Sequence, residues 1–549
     1  MYEEKGILIM IKIDVKIKVE NIIKEMTRVY KNDSRPWVIG YSGGKDSTTV
    51  VQLAFMMLQK LPPEERHKDV YVVSSDTLIE NPVILSYLKE NTQLINEGAR
   101  KLGLPLYTHM VHPDYNNTFW SNVIGKGLPT PTSIRFRWCT ERLKIKPSNK
   151  FIEEKVRENG EVVVLLGVRK AESIARGIRI KNREIDGYLL TPHATLQNTY
   201  VYNPIVELTT DDVWEILLSN NGITPWETNN NVLFELYMGG DGGECPFTTT
   251  NDKETPSCGN SRFGCWICTV VKEDKSLTGF IKTTEPELQL LLDFRNWLLS
   301  IRDKHEYRQQ YRRDGNHYYK KIYLDKLPLL DNCIINSNHI FKDDNDEAYV
   351  DTIRSNESKE MIDKISTDKD KIYLELLPTI ELDEHIAIDK TKILSDEKGE
   401  YINILGYGPF NFKARKEILK KLLETQIEIR KYYDFDLITE EELEAIDKIW
   451  DDEEDLNRRS LVTIYENVIG KKLPWDNYKK PIFDNSTLNE ISSLCIKHNI
   501  SDDLINKLLI ETNKYKHFTN RTILDKSINK ILNQRYLHKS IVEEIGHDN

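Results

Sequence analysis

The run Tyr41-Ser42-Gly43-Gly44-Lys45-Asp46-Ser47-Thr48 constrains this chain more than any other stretch. It follows a short apolar run, Trp37 to Ile39, and opens an apolar-periodic segment, Thr49 to Leu58. The order is strand, glycine turn, helix. Glycine lacks a Cβ, so backbone N–H groups can close on a phosphate. The helix N-terminus adds unpaired donors and partial positive charge. Ser42, Ser47 and Thr48 supply hydroxyls, and Lys45 supplies a cation. The pattern suits a polyphosphate. It is not a Walker A loop, which needs Gly-x4-Gly-Lys-Ser/Thr. Ile39 stands where the first glycine belongs, and Asp46 follows Lys45. An acid there suits a divalent metal, Mg2+, held between protein and phosphates. A helix-capping turn that binds nothing is the plainer alternative. It leaves the coincidence of glycines, cation, acid and hydroxyls unexplained.

The same run resembles the Ser-Gly-Gly-x-Asp-Ser loop of the ATP pyrophosphatases, which include the PAPS reductase-like proteins. The resemblance implies ATP cleavage between the α and β phosphates, with AMP passed to an acceptor.

At 549 residues the chain exceeds one core, and roughly two to four domains are expected. Apolar runs such as Val162 to Val168 are far short of a membrane span. Residues 7–10 are followed by alternating Lys and Ile, unlike a signal peptide. No membrane partner and a cytoplasmic location are the expectations. Net charge is −11, which argues against a uniformly basic surface. The balance is local: residues 135–183 hold fourteen Lys or Arg against six Glu. The stretch is a candidate phosphate or nucleic-acid surface, or simply solvated. The acidic run Glu440 to Asp455 reads as a solvated face or linker.

Apolar runs alternate with helical periods through the first 225 residues. Strands are expected at 37–40, 70–75, 104–110, 162–168 and 202–206. Helices are expected at 19–31, 48–60, 83–102, 146–159 and 211–219. Alternating βα units predict an α/β fold, a parallel sheet with helices on both faces. Ligands bind beyond the carboxyl ends of such strands. A four-part division follows. Residues 1–225 form the nucleotide domain and 226–330 a Cys-rich metal-bearing segment with helices. Residues 331–400 form a charged insertion, and 401–549 a mainly helical C-terminal region.

Asp76 closes a strand and either binds magnesium, orients an acceptor, or caps the helix near Pro82. Gly167-Val168-Arg169 ends another strand, and Arg169 and Arg176 suit forked contacts to phosphate oxygens. The segment Phe136 to Pro147 interleaves aromatics and cations. Together with Arg135, the residues Arg137, Trp138, Arg142, Lys144 and Lys146 suit a nucleic-acid backbone with stacked bases. Within it, Cys139 is either a reactive thiol or a buried structural one.

Seven cysteines is an odd number, unlike a secreted disulfide scaffold. Cys245-x12-Cys258-x6-Cys265-x2-Cys268 is a metal pattern. Zinc commonly takes two Cys-x2-Cys knuckles, and only one is present. Iron–sulfur clusters accept irregular spacing of four thiolates. A [4Fe-4S] cluster is the expectation, with zinc as the alternative. Cys333 and Cys495 stand alone and read as core or incidental.

Taken together, these motifs resemble the DndC family, PAPS reductase-like sulfurtransferases of DNA phosphorothioation. The residues that carry this are Tyr41 to Thr48, Ser74-Ser75-Asp76-Thr77, Thr118-Phe119-Trp120, Phe136 to Thr140, Leu143 to Pro147 and Ser257 to Thr269. They cover about residues 20–330, with Gly408-Pro409-Phe410 beyond. The resemblance implies an adenine nucleotide alpha hydrolase-like fold, an iron–sulfur cluster and ATP with Mg2+. It implies catalytic roles for Lys45, Asp46, Asp76 and Cys139, the last as a persulfide or substrate-side thiol. Implied partners are DNA, a cysteine desulfurase as sulfur donor and other proteins of a phosphorothioation complex. A sulfonucleotide reductase would carry a C-terminal Glu-Cys-Gly-x-His nucleophile, which this chain lacks. A tRNA thiolase is another enzyme reading. A metal-bearing nucleic-acid-binding scaffold without turnover is the non-enzyme reading.

Overall fold

The computed structural model describes residues 13–132, 136–172, 188–240, 264–309, 312–313, 319–323, 340–342, 348–350, 394–396, 399–453, 455–475, 481–516 and 521–532. Two compact units emerge, and they interleave along the chain. One comprises Met1–Phe119, Pro131–Arg295 and Thr425–Leu437, the other Trp120–Thr130, Asn296–Glu424 and Ile438–Asn549. The linear four-part division drawn from composition therefore differs from the folded one. A change in composition marks sequence neighbours, whereas a compact unit is defined by contacts between segments far apart in the chain.

The first unit is built on a six-stranded sheet of order β3-β2-β1-β4-β6-β5. Its strands are β1 (Trp37–Gly40), β2 (Val70–Ser75), β3 (Leu106–Val111), β4 (Val162–Leu165), β5 (Thr191–Pro192) and β6 (Thr199–Tyr202). All pairings are parallel except β5 with β6. The α/β expectation holds, with one short antiparallel edge added. Helix α1 (Ile13–Lys31) precedes β1, and between the strands lie α2 (Lys45–Lys60), α3 (Pro82–Lys101) and α4 (Lys146–Asn159). After β6 come α5 (Thr210–Leu217), α6 (Asn230–Gly240) and α7 (Lys275–Thr283). The sequence places the last strand at 202–206, three residues late. Pro204 explains the stop: it has no N–H to give a ladder, and Val206 turns back to Asn203 O at 3.3 Å.

Strand alternation assigns the two faces. Trp37, Ile39, Val70, Val72, Val163 and Leu165 join one large core with α1, α2, α3, α5 and α6. Val38, Val73, Val162 and Val164 point the other way and meet Phe151 and Ile152 of α4. Each buried Val or Leu contributes about 1.5–3 kcal/mol. Both sheet faces are thus covered, as a parallel sheet requires. Helix α3 starts where Asn81 accepts from Val83 N at 3.0 Å with Pro82 behind it.

The second unit has a three-stranded antiparallel sheet, order β10-β11-β7, from Leu394–Asp396, Gly399–Leu405 and Tyr319–Tyr323. A short pair joins β8 (Ile340–Lys342) to β9 (Ala348–Val350). Most of the charged insertion lies outside the described residues. Buried Arg415 donates to Ile124 O at 2.8 Å, and Trp450 Nε1 donates to the same carbonyl at 2.9 Å. Gly127 has φ +70, and a Cβ there would stand 2.6 Å from Phe410 O. The Gly408-Pro409-Phe410 stretch therefore has a structural task. No helix among the described residues is long and apolar enough to cross a membrane.

Candidate functional site

The glycine loop leaves the carboxyl end of β1 and runs into α2. Gly43 adopts φ +72, a backbone that side chains disfavour. Gly44 is the N-cap of α2 and has no side chain of its own to cap the helix, while the Tyr237 hydroxyl accepts from Lys45 N at 3.3 Å. The first turn of α2 thus keeps its anion-binding character. Ser47 Oγ shapes the loop by accepting from Ser42 N at 3.2 Å and donating to Gly44 O at 2.9 Å. Thr48 Oγ1 donates to the same carbonyl at 3.0 Å. These hydroxyls therefore build the loop first. The chemistry of the loop fits a polyphosphate: a cradle with no Cβ, a helix start whose N-cap residue lacks a side chain, and a cation.

Gly167 follows β4 and touches the same turn. A Cβ there would lie 2.8 Å from the Asp46 carbonyl carbon and 3.0 Å from Ser47 N. Two residues later, Arg169 is buried, at 1% exposure. Its Nε donates to Asp46 Oδ1 at 2.7 Å, and Nη1 reaches Thr210 Oγ1 at 3.2 Å. The guanidinium read from sequence as a phosphate clamp instead holds the acid of the loop. Asp46 Oδ2 lies 3.9 Å from Lys45 Nζ. Arg176 lies outside the described residues.

Asp76 follows β2 and is buried, which pushes its carboxyl up. Its Oδ1 accepts from Leu78 N at 2.8 Å, and Leu78 sits at φ +63. Such strain in a non-glycine residue belongs to a constrained loop. The helix cap weighed for Asp76 falls to Asn81.

This loop also carries the cysteine segment. Glu80 and Cys265 form an antiparallel bridge. Trp266 N donates to Ile79 O at 3.2 Å, and Asn81 N donates to Gly264 O at 3.4 Å. Cys268 N donates to Cys265 O at 3.2 Å, closing a tight turn between the two thiols. Arg295, fully buried, gathers three carbonyls of that turn and its exit: Cys268 O at 3.0 Å, Lys272 O at 2.9 Å and Val271 O. Cys245 and Cys258 lie outside the described residues.

Cys139 precedes a π-helical turn, Thr140–Ile145, that runs into α4. Wide turns of this kind recur at functional sites. Burial first, then Cys268, pushes Cys139 up against a lowering by Arg137. Cys265 is pushed up to about 12 by burial first, then by Glu80, Cys268 and Cys139. Cys139 and Cys265 are half-buried thiols that are both pushed up, and a bound cationic centre would favour their thiolates. The donor chemistry fits a thiolate-held metal group. Among the described residues no three His, Cys, Asp or Glu side chains enclose a metal position by themselves.

The basic stretch divides. Arg137 is exposed. Trp138 stacks on Phe119 at 5.6 Å, and Arg142 lies over the Trp138 ring, also at 5.6 Å. Lys144 pairs with buried Glu80 at 3.1 Å. Burial opposes its ammonium, but Glu80 and Cys265 outweigh that and raise its pKa. Lys146 meets Glu141 at 3.6 Å. Arg135 is outside the described residues. Sequence reasoning missed Glu80, Arg295 and Tyr237. Only Glu80 had a signal, its place four residues beyond Asp76.

Residues 36–271 match the family model of the phosphoadenosine phosphosulfate reductase domain. The chain therefore carries a PAPS reductase-like domain. It is 28% identical over 159 residues to an uncharacterised protein of Methanocaldococcus jannaschii, covering 29% of this chain and 28% of that relative's length. Among solved structures, a PAPS reductase from Candida auris matches at 13% identity with a TM-score of 0.24, over 42% of this chain and 92% of that one. A U34-tRNA thiolase from Methanococcus maripaludis, solved with its [4Fe-4S] cluster, matches at 13% identity and TM-score 0.24, over 40% and 74%. Structural likeness this slight adds nothing to the fold read from the coordinates.

Proposed function

We propose that this protein is an ATP-dependent sulfurtransferase of DNA phosphorothioation. It would adenylate a backbone phosphate so that a non-bridging oxygen can be replaced by sulfur. The observation that carries the reading is the pinning of the Cys265–Cys268 turn to the loop after β2, through the Glu80–Cys265 bridge and the Trp266 N to Ile79 O bond at 3.2 Å. That strand neighbours β1, whose end bears the glycine loop. The glycine loop and the Cys265–Cys268 turn thus lie beyond adjacent strand ends of one unit. The PAPS reductase-like domain match supports the same class.

The division of labour follows from charge. A phosphate diester oxygen leaves poorly, and adenylation turns it into part of AMP. ATP with Mg2+ would lie against residues 42–48, where Lys45 and the start of α2 offset the charge of departing pyrophosphate. Arg169 would hold the Asp46 carboxylate in place through its 2.7 Å hydrogen bond. Cys139 would be the sulfur-carrying thiol, and Cys265 and Cys268, with Cys245 and Cys258, would hold an iron–sulfur cluster. That group would supply sulfur binding or electron exchange. A cysteine desulfurase would supply sulfur, and partner proteins would share the DNA grip. Exposed Arg137 and Phe136 are the side chains of the basic stretch best placed to meet a nucleic-acid backbone.

The test is mass spectrometry of host DNA for phosphorothioate dinucleotides, with and without the gene, beside pyrophosphate release from ATP by the pure protein. Sulfur in DNA that disappears with the gene supports the reading. Sulfur in tRNA, or sulfite production, would move the protein to a thiolase or a reductase. No pyrophosphate release in the complete complex would leave a scaffold. DNA binding by the complex should weaken with salt, and Arg137→Ala should flatten the log–log slope by about 0.9.

A further inference from the structure

We propose that Tyr237 is a positioning residue for the phosphate loop, acting on Lys45 from a different helix. The inference rests on the nucleotide reading of residues 42–48. Lys45 N donates to the Tyr237 hydroxyl at 3.3 Å. The Lys45 ammonium stands over the Tyr237 ring, 5.0 Å from its centroid, within cation–π range. A Cβ on Gly44 would lie 3.3 Å from the same hydroxyl. One side chain thus meets the N-cap residue, the first helical N–H and the cation of the loop.

The tyrosine is itself held. It is 7% exposed, and buried Trp214 of α5 meets its ring edge-on at 5.0 Å. Helix α6 is pinned to α2 at a second point, where Asn230 Nδ2 donates to Gln52 Oε1 at 3.0 Å. Asn230 and Tyr237 are seven residues apart, as are Lys45 and Gln52, and the pairs run in opposite senses. Seven residues is two helical turns, about 10.5 Å. Helices α2 and α6 therefore lie antiparallel in matched register, and the register delivers Tyr237 to the loop. The hydroxyl takes the Lys45 N–H, and the ring takes its ammonium. Both ends of Lys45 are thereby set before a phosphate arrives, so binding loses less freedom.

The test is calorimetric titration of the full-length protein with pyrophosphate, a non-hydrolysable ATP analogue and adenosine, alongside thermal unfolding. Tyr237→Phe removes the acceptor and keeps the ring. It should weaken pyrophosphate and analogue binding about five-fold, leave adenosine unchanged and hold the melting temperature near wild type. Tyr237→Leu, which also removes the ring, should weaken phosphate binding further, about 20-fold. Unchanged or tighter pyrophosphate binding by Tyr237→Phe would overturn the proposal, the tighter case showing that the hydroxyl competes with phosphate. Equal loss for adenosine would overturn it too, since that marks a general packing defect. A wild type that binds neither pyrophosphate nor the analogue would instead fail the nucleotide reading itself.

Discussion

Arg169 donates to Asp46 at 2.7 Å across 123 residues of sequence, and the arginine is the more buried partner. The loop acid is thus fixed by a guanidinium from the end of β4. Removing either partner strands the other. Arg169→Met should cost about 1–3 kcal/mol in urea unfolding and abolish ATP cleavage. Asp46→Ala should also destabilise, because it leaves a buried cation. Asp46→Asn, which keeps an acceptor, is the cleaner probe of chemistry. If Arg169→Met cleaves ATP at the wild-type rate, the pair has no bearing on the site.

Gly167 is the second constraint on that turn. Gly167→Ala forces a methyl against the Asp46 backbone, which has no flexible end to yield. Nucleotide affinity should fall at least about ten-fold, since a displacement near 1 Å misaligns the cradle. Gly160→Ala is the control. Its φ is +84 with nothing within 4 Å, so it should cost about 1 kcal/mol of stability and leave nucleotide binding alone.

Cys265→Ser and Cys268→Ser should each lower iron and acid-labile sulfide in anaerobically purified protein, and bleach its brown colour. Arg295→Gln should loosen the carbonyl clamp behind Cys268 and speed cluster loss to a chelator. Cys495→Ser should keep full iron, since that thiol is buried in the helical second unit. Stoichiometric zinc without sulfide would replace the cluster by the alternative metal.

Asp33 ties the entrances of β1 and β2. It accepts from Arg35 Nη2 at 2.6 Å and from buried Lys68 at 3.0 Å. Burial alone would raise its carboxyl, but Arg35 and Lys68 outweigh that and hold it below its ordinary value. A depressed pKa stabilises the fold above the unfolded value, and the benefit is lost as pH falls through the folded one. Asp33→Asn should therefore be less stable than wild type at pH 7 by about 1–3 kcal/mol. The gap should close as pH drops below about 4. A gap that stays constant to pH 2 would show that the carboxylate charge is irrelevant.

Much of this molecule is determined by local sequence. The apolar runs at Trp37, Val70 and Val162 had to be buried strands, and the glycines before Lys45 had to be a tight turn. Periodicity and backbone freedom act over a few residues, so both were legible. Helix α4 was likewise read to its ends. The partners were not. Arg169 looked free for phosphate because nothing near it in sequence shows that Asp46 is its neighbour. Cys265 showed no link to Glu80, because the bridge between them joins residues far apart in the sequence. Tyr237 carried no signal, since its place depends on two helices sharing a register. The interleaving of the two units was equally invisible to composition. Local order follows from each residue's own conformational preferences. A site is made by side chains brought together by the burial of other residues, and only the folded chain decides which ones meet.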